Sequence, residues 1–162
     1  PEAQRAWHAG VSYWRGYKGL NARSIGIELV NPGHDFGYRP FPELQMIALE
    51  TLALDILARH LIPSRNVVGH SDIAPTRKND PGELFDWRSL AAKGIGMWPE
   101  RAASGPHNGM DALETVGYET LDYSRALAAF QRHFRPAEIQ GVSDPDTLCW
   151  LQGTVELVER MG

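Results

Sequence analysis

Apolar and polar positions alternate over Ser24–Val30. Ile25, Ile27 and Leu29 fall on one face and Gly26, Glu28 and Val30 on the other, which predicts a strand. Residues 1–23, rich in Gly and aromatics without a sustained period, read as loops around Trp7 and His8. Residues 31–42 hold three Pro and two Gly and read as a loop. Pro42-Glu43 then opens a helix, with Pro in the first turn and an acid at the positive end. It runs to about His60, just before Pro63. Leu44, Ile47, Ala48, Leu52, Ile56 and Leu57 keep helical spacing with further apolar residues between them, which predicts a largely buried helix. Asn66–Gly69 reads as a short strand that delivers His70 to a sheet edge. A loop over His70–Pro81 and a short helix near Trp87–Lys93 follow.

Residues 99–111 have linker composition. Beyond them the pattern becomes helical over 111–117, 122–134 and 144–161, with Asp144 or Asp146 near the start of the last helix. Leu127, Phe130 and Phe134 form an i, i+3, i+7 stripe.

Composition narrows the function. The chain has 162 residues, 43% apolar and 22% charged, as in ordinary globular proteins, and could form one domain or two small ones. A net charge of −4 and a pI near 5.9 argue against general nucleic-acid binding. No apolar run approaches the roughly 18 residues of a membrane span. The one cysteine, Cys149, excludes an internal disulfide and a thiolate-rich metal site, and reads as a small core residue. The chain begins Pro-Glu-Ala-Gln, without Met or a signal peptide, so no leader shows its compartment. It reads as a fragment of a longer protein.

Candidate chemistry gathers in residues 69–82, which place His70, Lys78 and Asp80 in one Pro-bounded stretch. A neutral imidazole and a carboxylate are what Zn²⁺ accepts in a catalytic site. Lys78 lies two residues before Asp80, so in an extended segment both side chains leave the same face. That arrangement suits polarising a carbonyl and stabilising the oxyanion that follows. Taken singly, His70 is a hydrogen-bonded loop histidine, Lys78 a solvated lysine and Asp80 a turn carboxylate. Glu28 is a carboxylate in an otherwise apolar strand. It is costly to bury unless paired or facing a cleft, and the alternative is an edge-strand Glu facing solvent.

The segments "GHSDIAP-x-RK-x-DPG", "AWHAG" (Ala6–Gly10) and "SIGIEL" (Ser24–Leu29) together resemble the zinc-dependent N-acetylmuramoyl-L-alanine amidases of the AmpD/AmiD type, from about Arg5 to Pro99. "Gly-Tyr" at 117–118, "Ala-Phe-Gln" at 129–131, "Phe-Arg-Pro" at 134–136 and "Gly-Val-Ser-Asp-Pro-Asp-Thr" at 141–147 resemble the three-helix peptidoglycan-binding module that AmiD-type enzymes carry and AmpD-type enzymes lack. The resemblance implies an α/β fold with a central mixed β-sheet flanked by helices. It divides the chain into an amidase domain at 1–99, without its N-terminal segment, a linker at 100–111 and a helical module at 112–162.

The resemblance also implies the site. His70 and Asp80 would be zinc ligands, Lys78 catalytic and Glu28 the general acid/base. The third ligand would be a His upstream of residue 1, in an N-terminal segment of the same protein; His34, His60, His107 and His133 match no ligand position. Trp7, His8, Asn21 and Arg77 would line the cleft or bind substrate, although Trp7 could be core and Asn21 could be structural. Arg77, Lys18 and Arg23 would contact stem-peptide carboxylates or be plain surface charge. The implied reaction is hydrolysis of the bond between N-acetylmuramic acid and L-Ala of the peptidoglycan stem. The rivals are a peptidoglycan-recognition protein that binds without cutting and a zinc peptidase that cuts within the stem. The implied partner is peptidoglycan or its muropeptides. The implied location is the periplasm, with outer-membrane anchoring through a leader outside this chain. The C-terminal module is expected to hold cell wall and leave the rate on soluble muropeptides unchanged.

Overall fold

The computed structural model describes residues 2–161. Its one ladder among those residues is a tight antiparallel hairpin, β1 (Tyr13–Trp14) and β2 (Tyr17–Lys18), pairing Tyr13 with Lys18 and Trp14 with Tyr17. The turn between them takes positive φ at Arg15 and Gly16, the backbone twist two-residue hairpins require. The hairpin docks on the C-terminal end of α4 (Gly109–Val116). The Arg15 amide donates to Gly117 O at 2.9 Å, and its guanidinium donates to the carbonyls of Thr115 and Val116. A cation on those last carbonyls complements the helix dipole.

The expected central sheet is corrected here. Residues 24–30 and 67–69 join no ladder among the described residues, and Ser64–Asn66 is a 3-10 turn. Alternation shows only that a segment has two different faces; a strand also needs a neighbour for its backbone groups. The described fold is therefore mostly helical with one two-stranded hairpin. Helix α1 spans Glu43–Arg59, with Pro42 as N-cap and Arg59 in its last turn, much as the pattern predicts. Its predicted burial is not met. Only Leu49, Ala53 and Ile56 are buried, against Phe85, Trp87, Leu90 and Ile95, while Leu44, Ile47 and Leu52 are exposed. Among the described residues, one side of α1 is covered and the other is exposed.

Three capped helices form the C-terminal part: α4, α5 (Tyr123–Phe134) and α6 (Pro145–Arg160), each close to its predicted range. Asn108, Asp122 and Asp144 cap them by accepting from first-turn amides, and Pro145 occupies the first helical position, where a missing N–H costs nothing. Gln131, fully buried, ties the α5–α6 loop. Its Oε1 accepts from the amides of Gln140 and Gly141, and its Nε2 donates to Val142 O and Thr147 Oγ1. The 99–108 stretch crosses α6 at Gly153, where a Cβ would collide with the Glu100 carbonyl. The largest core runs through both ends of the chain. Ala9, Trp14, Leu20 and Met97 pack with Leu113, Val116, Tyr118, Leu127, Phe130, Phe134 and Leu151.

Candidate metal centre

His70 is the first residue of the four-residue helix α2 (His70–Ile73), and two short-range ties hold it there. The Gly69 amide donates to Asp72 Oδ2 at 2.7 Å. The Ser71 amide donates to Asp80 O at 2.9 Å, which folds the loop back on itself. Between these ends, the amides of Arg77 and Lys78 both donate to Ala74 O. The segment is thus a turn rather than an extended strand. Tyr38 fastens the far side, its hydroxyl donating to Pro81 O and accepting from the Leu84 amide. Gly82, at φ 89°, lies under the Tyr38 ring where a side chain could not fit.

The His70 ring meets two acceptors. Nε2 is 3.2 Å from Ala9 O and Nδ1 is 3.0 Å from Asp80 Oδ2. A carbonyl can only accept, so Nε2 carries a proton. Nδ1 then either donates a proton to the Asp80 carboxylate or, in a neutral ring, offers a lone pair that a shared cation would join to that carboxylate. Asp80 is ionised. Its partial withdrawal from water pushes the carboxyl up, but the His70 hydrogen bond and charge and the nearby Lys78 charge hold it below the usual carboxylate range. The donor set fits zinc. Nitrogen and oxygen ligands lie roughly 2.0–2.2 Å from the metal, which sets tetrahedral neighbours roughly 3.3 Å apart. A metal-bound imidazole also commonly donates its other N–H to a backbone carbonyl, the part Ala9 O plays here. Among the described residues no further His, Cys, Asp or Glu joins the pair.

The remaining predicted site residues surround this pair in different states. Asn21 is 8% exposed, and its Oδ1 accepts from the amides of Ala9 (2.7 Å) and Gly10 (3.2 Å). Arg77 donates to Ala9 O and Val11 O, both at 2.9 Å, beneath Gly10 at φ 63°. Both polar ends hold the Ala9–Val11 backbone against His70. His8 Nε2 meets Ser24 Oγ at 2.8 Å, and its ring lies on Gly26, where a Cβ would come within 2.6 Å of Cδ2. Its Nδ1 is buried without a partner. Trp7 is 79% exposed with the Arg5 guanidinium 3.9 Å over its ring. Glu28 is exposed in the 24–30 segment, which joins no ladder among the described residues. Lys18 lies 4.0 Å from Glu119, and Arg23 stacks on Tyr17. His34 and His60 pair with Glu83 and Glu2.

Sequence reasoning missed the group beneath the loop. Asp72, 1% exposed, accepts from Tyr118 Oη at 2.7 Å and pairs with His133 Nδ1 at 2.8 Å. Burial and the Asp72 charge push the Tyr118 phenol well above its usual range, so it stays a donor. Asp72 had one local signal, an acid three residues after a helix-capping position. Tyr118 and His133 had none, because they reach Asp72 from 46 and 61 residues away.

Comparison with known proteins gives the family. The family profile described as N-acetylmuramoyl-L-alanine amidase (Amidase_2) matches residues 1–83. The chain is 42% identical to N-acetylmuramoyl-L-alanine amidase AmiD of Escherichia coli K12, over 96% of this chain and 65% of that protein. It is 45% identical to 1,6-anhydro-N-acetylmuramyl-L-alanine amidase AmpD of Enterobacter cloacae, over 57% of this chain and 47% of that protein. The chain thus spans between about half and two thirds of the length of these relatives. The solved complex of E. coli AmiD with anhydro-N-acetylmuramic acid-L-Ala-D-γ-Glu-L-Lys superposes with a TM-score of 0.85 at 41% identity, covering 97% of this chain and 70% of that one.

Proposed function

Because this chain belongs to the N-acetylmuramoyl-L-alanine amidase family, we propose that it forms part of a zinc amidase that hydrolyses the amide between the lactyl group of N-acetylmuramic acid and L-Ala of the stem peptide. The observation that carries the reading is the His70–Asp80 pair: an imidazole nitrogen and a carboxylate oxygen 3.0 Å apart, with the other ring nitrogen against Ala9 O. The substrate in the AmiD complex makes anhydromuropeptides the first probe.

His70 and Asp80 would supply two ligands, with a His from outside residues 2–161 as the third. Bound zinc supplies Lewis acidity toward the amide carbonyl and a water acidified to a pKa of roughly 7. Glu28, exposed in the 24–30 segment, would take the proton of the attacking water and return it to the L-Ala nitrogen, because an amide anion is a very poor leaving group. Lys78 directs its charge at the tetrahedral oxyanion, a role worth roughly 10²–10³ in rate. Lys78→Ala therefore lowers kcat far more than it raises KM. Trp7 and His8 line the approach, and α4–α6 add a wall-binding surface in an envelope or periplasmic enzyme. Asn21 and Arg77 act by holding the Ala9 carbonyl in place.

A binding protein that does not cut is the second reading, because only two ligand side chains meet among the described residues. Product analysis decides between them. Full-length, zinc-loaded protein incubated with anhydromuropeptides should release free peptides that begin at L-Ala. Cleavage inside the stem would show a peptidase, and retention of intact muropeptide with measurable binding would show a receptor.

A further inference from the structure

The buried group beneath the ligand loop has no part in the reaction just described, yet it lies next to His70 in the chain. Helix α2 has four residues, too few to hold itself in shape. Its form depends on ties from outside. Asp72 provides one, fixing the Gly69 amide, while the Ser71 amide is fixed by Asp80 O, so the residues on both sides of His70 are held. The Asp72 carboxylate is in turn held by Tyr118, just beyond α4, and by His133 in α5. His133 is clamped between the rings of Trp87 (4.1 Å) and Phe134 (4.0 Å), and Tyr118 meets Trp14 edge-on at 5.1 Å. Packing alone would be met as well by an apolar side chain, since a carboxylate withdrawn from water is costly unless every oxygen is paired. Here both oxygens are paired, and the partner that matters for the site is the backbone beside His70. Tyr118 and His133 both lie beyond residues 1–83 matched by the family profile.

We propose that Asp72, Tyr118 and His133 are positioning residues through which the C-terminal helices hold His70 in its metal-binding orientation. The inference rests on His70 and Asp80 being metal ligands. It gives α4–α6 a role inside the site, in place of a purely wall-binding one. Tyr118→Phe removes one oxygen and keeps the ring in the core. His133→Asn keeps an N–H donor toward Asp72, whereas His133→Leu removes it and keeps apolar bulk.

The test uses the full-length protein loaded with zinc. Two quantities are measured: the rate of zinc release to a chelator, and amide hydrogen exchange at Gly69–Asp72 compared with the interior of α6. Outer partners of metal ligands change metal affinity by roughly 10–100-fold, and a more distant tie belongs at the low end. Tyr118→Phe and His133→Leu should release zinc roughly tenfold faster and expose the Gly69 amide to exchange, while His133→Asn stays near wild type. Wild-type release and wild-type Gly69 protection in Tyr118→Phe and His133→Leu, with only the melting temperature lowered, would overturn the proposal. If the wild-type protein itself holds no zinc, the metal assignment fails and exchange alone decides. Unchanged Gly69 protection in both variants would then refute the positioning role.

Discussion

Helices α1 and α5 are both rich in apolar or small residues, and the chain treats them differently. Of the 17 residues of α1, three are buried; of the 12 of α5, seven are buried, including Gln131 and His133. Helix α5 is wrapped by α4, α6 and the β1–β2 hairpin region in one core. Helix α1 rests on the Phe85–Ile95 segment by a single edge, leaving Leu44 81% exposed. The His70–Pro81 loop has a buried anchor, Asp72, that is fastened to the α5 side. The ligand loop therefore depends on the C-terminal helices, even though the sequence motifs assign the chemistry to the N-terminal part.

The largest test of that contrast is removal of residues 112–162. On the sequence reading this deletion spares the rate on soluble muropeptides. The shared core predicts the reverse, because Trp14, Leu20, Met97 and Asp72 would all lose their cover. Far-UV circular dichroism and turnover of a soluble muropeptide should both collapse. A folded, active remainder would break the comparison.

A smaller test compares two leucines. Leu127 is fully buried in α5, and Leu127→Ala should destabilise by about 2–5 kcal/mol. Leu52 is exposed on α1, and within this chain Leu52→Ala should stay within about 0.5 kcal/mol of wild type. Urea melts measure both. An equal cost for the two in a longer form of the protein would mean that the open face of α1 is covered there. The same contrast holds for two glutamines. Gln131→Ala strands the Gln140 and Gly141 amides and should cost about 1–3 kcal/mol, whereas Gln45 makes one exposed bond to Val30 O and its loss should be near neutral.

Much of the C-terminal half was legible before the structure. Asp144 near the start of the last helix and the Leu127–Phe130–Phe134 stripe are local signals that tertiary packing then reinforced. The N-terminal half was less so. Alternation over 24–30 says which faces differ, not whether a neighbouring strand is present, and the apolar positions of α1 do not say what covers them. At the site, the spacing of His70, Lys78 and Asp80 marked the loop. A structural role for Asn21 was one of its two readings, but the partners of Asn21 and Arg77 were hidden, because a side chain that ties distant backbone leaves no periodic trace. Asp72 was hidden for the same reason.

The smallest expected effect is a pH dependence at the start of α6. Burial pushes the Asp144 carboxyl up, but the hydroxyl and amide of Thr147, the Arg135 charge and the Asp146 amide hold it, on balance, below its ordinary value. A depressed carboxyl stabilises the fold fully above its unfolded value of about 3.9 and loses that contribution as pH falls through the lower folded value. Asp144→Ala should therefore lower Tm at about pH 6 by the loss of a cap worth about 1 kcal/mol. The gap from wild type should close in the acid range below about pH 4. A gap that widens toward acid would contradict the assignment.

The measurement closest to the central claim is the zinc content of the full-length protein, wild type beside His70→Ala, by elemental analysis after exhaustive dialysis. The account predicts about one zinc per wild-type chain and none retained by His70→Ala. A full complement of zinc in His70→Ala would contradict it, because the metal would then be held by residues other than the His70–Asp80 pair.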